Sequence, residues 1–276
     1  EAEKNNTIVT VGDGDEPVAA VELFNFAKEI SLDVIAIGKG KNNPFDVFKT
    51  PKDLEKEALK KNMNPYMLTS FVDGSKTMIE MAALANYLDF NIDTDGMHGP
   101  NSTYDELNSI FIPKSSGGIL EKTNIVDFAF GVAPGVFAIV YSEDDYVNYE
   151  MEYLKMGKGP YWTLYRPYHL TSLEIPRTIM KLMVDKETQL SAKKWNVEVV
   201  AHSKKDLKAG TNLGSIGGEN IYGKAMRVEN SKNLAPLGLS ENNILNSDVK
   251  KGDPIEIKNI DITDNQLYKY WLSQNS

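Results

Sequence analysis

Residues 33–45 read DVIAIGKGKNNPF, an apolar run that leads into a stretch of glycine, lysine and asparagine. Asp33–Ile37 predicts a short, fully buried strand. An earlier strand is predicted at Thr7–Val11 (TIVTV), and Pro17–Ile30 between the two carries a broad apolar stripe at helical spacing. Strand, helix and strand in this order predict a β-α-β unit with parallel strands, and hence an α/β fold for this end of the chain.

After residue 41 the pattern predicts a mixed α+β region with many loops. Thr50-Pro51 with Asp53 is a helix start, because a threonine cap and an acidic third residue satisfy each other's backbone groups. Helices are predicted at residues 51–60, 75–88, 104–110 and 172–184. Residues 125–141 are predicted to form strands around a Gly-Pro turn. We therefore assign 1–40 to a terminal β-α-β of a nucleotide-binding domain and 41–191 to a catalytic or substrate domain.

The last part of the chain contains an internal repeat. Asp206-Leu-Lys-Ala-Gly210 recurs as Asp248-Val-Lys-Lys-Gly252, and a short apolar stretch follows each copy. Repetition of this kind, with glycine and asparagine between short strands, predicts a compact all-β module at 195–262, followed by a tail at 263–276. We expect the module to fold separately and to be removable without unfolding the rest.

Composition excludes several classes of protein. The net charge of −9, without a cluster of basic and aromatic residues, disfavours nucleic acid and anionic membranes as partners. The absence of cysteine excludes disulfides and a cysteine nucleophile. The most apolar run, residues 128–141, is too short and too broken to span a bilayer. These features are typical of a cytoplasmic protein, and the first residue, Glu1, suggests a trimmed N-terminus.

Two patterns resemble known sites without fitting them. Gly12–Pro17 (GDGDEP) lies between a predicted strand and helix, but it has proline at the third glycine position and three acidic residues that would repel a pyrophosphate. The three histidines do not have the spacing of a zinc site, so we predict no metal site from them. Binding of a divalent ion by carboxylates is an alternative that the sequence leaves open.

The most informative candidate site follows the strand Asp33–Ile37. Lys39, Lys41, Asn42 and Asn43 lie where ligands gather in open α/β sheets, at the carboxyl edge of a strand. Ammonium and amide groups there favour binding an anion or polarising a carbonyl. The alternative is a solvated lysine-rich turn.

Three further stretches supply candidate residues. Lys76 and Glu80 share one face of an otherwise apolar helix, and the alternative is an exposed charged stripe. His98 lies in a glycine-flanked loop, GMHGP, and could transfer a proton. The remaining candidates, all polar groups suited to holding an acidic substrate, are Asn64, Tyr165, Arg166 and His169.

Seven motifs together carry a family resemblance: GKGKNNP, NMNP, SFVDGSKTMIEMAALAN, GMHGP, GVAPGVF, YLKMGKGPY and LYRPYHL. With them the chain resembles the homoserine-dehydrogenase-like oxidoreductases, which include deoxyxylulose-phosphate reductoisomerase-like enzymes. The segment after Trp195 resembles an SAF domain, a β-clip module. The resemblance implies NADP or NAD as cofactor, held mainly by a Rossmann domain that precedes this region, so we expect the chain alone to bind nicotinamide weakly and to be inactive.

The leading hypothesis is therefore an NAD(P)H-dependent oxidoreductase that acts on a small anionic carbonyl or hydroxy compound. The resemblance implies a phosphorylated sugar such as deoxyxylulose phosphate, or a homoserine-like acid. It assigns catalysis to Lys39, Lys41, Lys76 and His98 and substrate binding to the other candidates. A non-catalytic module that binds a small carbohydrate or acid, and a lyase or isomerase with a Schiff-base lysine, are the alternatives. A homo-oligomer is left open.

Overall fold

The computed structural model of the protein describes residues 2–186, 188–263 and 266–274. Their contacts group into two compact units. The first unit takes in the described residues up to Asn42 and those from Glu80 to Asn196; the second takes in Asn43–Ile79 and the described residues from Val197 onward. The domain boundaries predicted from the sequence stay predictions.

The helices follow the predicted positions closely where the sequence contains local start signals. In chain order they are α1 (Glu16–Glu29), α2 (Pro51–Lys60), α3 (Pro65–Val72), α4 (Ser75–Leu88), α5 (Leu107–Ile110), α6 (Asp145–Tyr153), α7 (Ile175–Met180), α8 (Val228–Ser231), α9 (Leu237–Ser240) and α10 (Gln266–Gln274). A π-helical turn, Lys181–Asp185, continues α7. The capping box predicted at Thr50 and Asp53 is present.

A mixed four-stranded sheet forms the centre of the first unit. Its strands are β1 (Asp33–Lys41), β2 (Ile125–Phe130), β3 (Val136–Tyr141) and β4 (Tyr161–Arg166), in the order β2-β1-β3-β4. β1 pairs with β2 in parallel, whereas β1 with β3 and β3 with β4 are antiparallel. The predicted α/β fold class is confirmed.

Helices and loops cover both faces of this sheet. α1 packs against β1 and β3. A cluster that includes Leu107 of α5 and Phe111, directly after this helix, packs with Phe137 of β3, and the centroids of the Phe111 and Phe137 rings lie 5.1 Å apart. β1 is consequently buried on both sides from Val34 to Lys41.

The predicted strand Thr7–Val11 is wrong, and with it the predicted β-α-β unit. Residues 7–12 form no regular element, because no neighbouring strand supplies the ladder that an extended segment needs. Their contacts are instead with Gln189, whose backbone N–H donates to Thr10 Oγ1 at 2.8 Å.

β1 is longer than predicted, since the expected loop at Gly38–Lys41 continues the strand. Gly38 and Gly40 allow neighbouring backbone to approach: a Cβ on Gly38 would lie 1.8 Å from the Asp127 carbonyl oxygen, and one on Gly40 would lie 2.4 Å from Ala133 N. The two glycines therefore allow neighbouring backbone to pack closely against β1.

The second unit combines short strands with α2 and α3. β5 (Val197–Ser203) pairs antiparallel with β6 (Ile221–Arg227), and β7 (Ile244–Leu245) pairs with β8 (Ile260–Asp261). Leu54 and Ala58 of α2 pack with Leu68 and Val72 of α3.

The two copies of the internal repeat bind one another. Leu207 and Val249 exchange backbone hydrogen bonds of 2.8 and 2.9 Å. Asp206 accepts from the backbone N–H of Lys251 at 2.9 Å, and Asp248 accepts from that of Ala209 at 3.0 Å. Each copy thus caps the turn of the other in a reciprocal arrangement, which explains why both keep an aspartate and a glycine.

A buried ion pair links the two stretches of chain that make up the second unit. Lys204 Nζ lies 2.8 Å from Asp73 Oδ2, and both side chains are essentially inaccessible. The same ammonium donates to the carbonyl oxygens of Lys49 at 2.7 Å and Gly218 at 2.8 Å. Three oxygen atoms therefore lie within 2.8 Å of this ammonium, which offsets the cost of burying its charge.

None of the helices in the described residues is both long and apolar enough to cross a membrane.

Candidate functional site

Lys39 lies in the middle of the first unit, on the central strand β1. Side chains alternate along a strand, so Lys39 and Lys41 share one face. Lys39 is 5% exposed, and its Nζ donates to Glu16 Oε2 at 2.7 Å and to Glu80. Glu16 begins α1 and Glu80 belongs to α4, so three elements converge on one ammonium group. Lys39 is a buried, doubly paired lysine rather than part of a solvated turn.

Opposing influences act on the proton of Lys39. Burial lowers the pKa of its ammonium, while the charge and hydrogen bond of Glu16 raise it, and the net direction is downward. A buried lysine whose pKa is lowered exchanges its proton more readily near neutral pH than an exposed one does. This chemistry suits a proton donor or acceptor.

His169 approaches the same cluster from the segment after β4. Its Nε2 lies 3.7 Å from Glu16 Oε1, and its Nδ1 lies 3.2 Å from the carbonyl oxygen of Gly14. The side chain of His169 is 25% exposed, whereas that of Glu16 is 11% exposed. Glu16 therefore stands between a half-buried imidazole and a buried lysine.

Arg166, at the end of β4, is held by carboxylates. Its guanidinium donates to Glu22 at 2.6 Å and to Glu174. The hydrogen bond from Arg166 lowers the pKa of Glu174, which also accepts from the backbone N–H of Leu170. Further ion pairs of the same network join Arg177 to Glu22 and Glu174, and Lys181 to Asp13. The network fixes the segment after β4 against α1, and so positions His169.

His98 lies in a separate cluster of the first unit. Its Nε2 is 2.8 Å from Asp93 Oδ2. The loop around it is held by Asp127 of β2, a fully buried carboxylate that accepts from the backbone N–H groups of His98 at 3.0 Å, Gly99 at 3.0 Å and Phe128 at 2.8 Å. Burial raises the pKa of Asp127 to about 6, against the lowering effect of these three donors.

The remaining predicted residues of the first unit have varied surroundings. Lys41 is buried on β1 and Asn42 is exposed directly after it. The hydroxyl of Tyr165 donates to the carbonyl oxygen of Val132 at 2.6 Å. Within this unit the structure thus brings together Lys39, Glu80 and, through Glu16, His169.

Three predicted residues belong to the second unit. Asn64 caps α3 by accepting from the backbone N–H of Tyr66 at 2.8 Å. Lys76 lies with its Nζ 5.5 Å from the centroid of the Phe71 ring, and Asn43 is half-buried. Their assignment to a substrate site stays a prediction.

The loop Gly12–Pro17 does not fit a nucleotide pyrophosphate. Asp13 is fully buried, its backbone N–H donates to Thr178 Oγ1 at 2.7 Å, and its carboxylate accepts from Thr178 and Lys181. A Cβ on Gly14 would lie 2.9 Å from the backbone of Leu170 and Thr171. The chain's own segment therefore occupies the space that a pyrophosphate needs.

In the parts of the chain that the structure describes, no three His, Asp or Glu side chains lie close enough together to hold a metal ion.

Sequence reasoning missed two residues of these clusters, Glu16 and Asp127. Glu16 was interpreted only as an obstacle to phosphate binding, although it immediately precedes Pro17 at a helix start, where a carboxylate is stabilised. Asp127 interrupts the apolar run IVDFAF, and a charge inside a fully buried strand is a signal of an internal site.

Comparison with known proteins locates the chain in a family. No curated protein matches it. Residues 14–175, from the loop before α1 to the first residue of α7, match the family described as oxidoreductase DRL, catalytic domain. This range includes Glu16, Lys39, Glu80 and His169, and it spans more than half of the sequence. The chain therefore belongs to the oxidoreductase DRL catalytic-domain family.

Proposed function

We propose that the first unit carries the active site of an NAD(P)H-dependent oxidoreductase, in which Lys39 exchanges a proton with the oxygen of a small carbonyl or hydroxy substrate. The observation that supports this most directly is the burial of Lys39 between Glu16 and Glu80. A reduced nicotinamide, when bound, supplies the hydride. We infer that it is held by residues other than Gly12–Pro17.

The residues of the chain would act in reduction as follows. Lys39 donates a hydrogen bond to the carbonyl oxygen, and this favours the negative charge that develops there. It then transfers its proton to that oxygen, while Glu16 and Glu80 stabilise the ammonium before the transfer. In the direction of oxidation the same nitrogen accepts the proton of the hydroxyl.

The substrate we propose is small and anionic, a phosphorylated sugar such as deoxyxylulose phosphate or a homoserine-like acid. Lys41 lies two residues from Lys39 on the same face of β1, and because of this position we assign the anionic group of the substrate to it.

The test measures oxidation of NADH and NADPH by the protein with deoxyxylulose phosphate and with the semialdehyde of aspartate. Lys39→Met should lower kcat/KM by about 100- to 10,000-fold, because a positioned proton donor contributes that much. Lys28→Met removes an exposed lysine of α1 and should leave turnover unchanged. Equal turnover by the two variants would contradict the assignment.

The lowered pKa of Lys39 also favours a second function, a lyase or isomerase that forms a Schiff base. Its pairing with two carboxylates opposes this, since a paired ammonium is a weak nucleophile. Treating the protein with borohydride in the presence of each carbonyl compound distinguishes the two functions. A reduced adduct on Lys39, found by peptide mass spectrometry, supports the Schiff base.

A further inference from the structure

We propose that Glu16 and His169 form a proton relay that restores the proton of Lys39 from solvent after each turnover. The inference rests on the proposed function, because it gives Lys39 a proton to lose. Neither the family assignment nor the motifs of the sequence assign this role to the two residues.

The geometry is a graded path from the surface to β1. Going inward, the exposed fraction of the side chain falls from 25% at His169 to 11% at Glu16 and 6% at Lys39. Each step joins groups that can carry a proton: 3.7 Å separates His169 Nε2 from Glu16 Oε1, and 2.7 Å separates Glu16 Oε2 from Lys39 Nζ. The two neighbours of Glu16 approach different oxygens of one carboxylate, as a relay requires.

The orientation of the imidazole supports the same direction of transfer. With Nδ1 protonated, His169 donates to the Gly14 carbonyl oxygen, and Nε2 faces Glu16. A carbonyl oxygen can only accept, so this contact favours a proton on Nδ1 and leaves Nε2 to gain and lose the mobile one. The 3.7 Å between His169 Nε2 and Glu16 Oε1 is longer than a hydrogen bond, and catalytic contacts of this kind often shorten when substrate is bound.

The proton balance closes over one reduction. Lys39 loses a proton to the substrate oxygen and becomes a neutral amine. His169, protonated from solvent on Nε2, passes that proton to Glu16 Oε1 and becomes neutral. The carboxyl of Glu16 then rotates about its last single bond, a torsion with a broad twofold profile, and gives the proton to Nζ. The sum is one proton from water to the substrate oxygen.

The charged groups around Lys39 suit this cycle. Glu16 and Glu80 pair with its ammonium, and Asp15 acts on it at longer range. When Lys39 becomes neutral, Glu16 no longer feels the positive charge of that ammonium, whereas Glu80 still approaches the same nitrogen. The affinity of Glu16 for a proton then rises, because the loss of a nearby opposite charge disfavours the ionised carboxylate. The loss of the proton from Lys39 thus favours the transfer of a new proton to Glu16.

The first arm of the test requires no turnover. The pKa of the Lys39 ammonium is followed by NMR of the side-chain nitrogen in wild-type protein and in Glu16→Gln. Since Glu16 raises the pKa of Lys39, we expect a lower pKa in the variant. Glu29→Gln, at the exposed far end of α1, is the matched control and should leave the titration of Lys39 unchanged. An unchanged Lys39 titration in Glu16→Gln would overturn the relay.

The second arm uses kinetics. His169→Gly should lower kcat by about 10- to 100-fold with little change in KM, and free imidazole should restore part of the rate, since the ring position is accessible to solvent. A plot of kcat against the deuterium fraction of the solvent should be curved for wild type, because several protons move, and linear for His169→Gln. A merely structural role of His169 would give neither imidazole rescue nor a change in the shape of this plot.

The outcomes separate the relay from the proposed function. If turnover depends on Lys39 but is unchanged in the His169 variants, the relay is overturned and the proposed function is not. Absence of nicotinamide-dependent turnover with every carbonyl compound overturns the proposed function, and the relay with it. A lower rate in both His169→Gly and His169→Gln, with partial recovery of His169→Gly by imidazole, supports the relay.

Discussion

Asp127 shows how one buried carboxylate organises a loop. Its two oxygens accept three backbone N–H groups, two of them from the GMHGP loop that carries His98. The sequence predicted His98 as a site residue because of its glycine neighbours, but it could not predict this carboxylate, 28 or more residues away, that holds the loop. The same holds for Lys39: the sequence predicted it as a site residue just after a buried strand, whereas its contact with Glu16 depends on the packing of α1.

Asp127 should make stability depend on pH. Its pKa is raised from 3.8 to about 6 in the folded protein, so the folded state binds the proton more tightly than the unfolded state does. Its contribution to stability is therefore fully present below about pH 4 and is lost as pH rises through 6. We expect the free energy of unfolding of wild type, relative to Asp127→Asn, to fall by up to about 3 kcal/mol between pH 4 and 7, measured by urea denaturation. A difference that is constant over this range would contradict the prediction.

At the scale of elements, local signals predicted what local physics determines. The start of α2 followed from Thr50 and Asp53, which satisfy one another without help from the rest of the chain. Thr7–Val11 has the composition of a strand, but a strand also needs a neighbouring strand, and the described residues pair none with this segment. β4 was missed because YWTLYR is flanked by proline and glycine, although Trp162 within it is fully buried.

The glycines of β1 supply a test of this element. The methyl group of Gly38→Ala would overlap the carbonyl oxygen of Asp127 on the neighbouring strand. The backbones of β1 and β2 cannot move apart to make room without breaking the hydrogen bonds between them. We expect a loss of about 1–3 kcal/mol or more in the free energy of unfolding. Gly238→Ala, where an added Cβ meets nothing within 4 Å, is the matched control. Similar urea midpoints for the two variants would show that β1 tolerates the extra atom.

At the scale of the whole molecule, the sequence predicted a separable β module, and the structure groups that module with residues 43–79. The apolar and glycine patterns predicted the strands and the repeat. They did not predict that Asp73 would find its counter-ion in Lys204, because no local spacing relates residues 131 positions apart. The compactness of the second unit thus depends on two distant stretches.

This pairing predicts the effect of removing the tail. A chain that ends at Asn196 would leave Asp73 without Lys204, so residues 43–79 should become sensitive to limited proteolysis. Lys204→Met in the whole chain should cost about 3–5 kcal/mol, because it leaves a buried carboxylate unpaired. Lys205→Met, at an exposed neighbouring position, is the control. A truncated protein in which residues 43–79 resist protease would contradict this expectation and support the removable module predicted from the sequence.

The order of synthesis gives the divided second unit another consequence. More than a hundred residues separate Ile79 from Val197, the two points where its stretches end and resume. At about 5–20 residues per second, a ribosome needs roughly 6–24 s to cross that interval. During this time α2 and α3 have emerged with Asp73 but without Lys204, whereas the first unit already has its four strands before translation reaches β5. The nascent chain should therefore be most vulnerable to chaperone capture through residues 43–79, and ribosome-bound chains stalled before and after Val197 should differ in that respect.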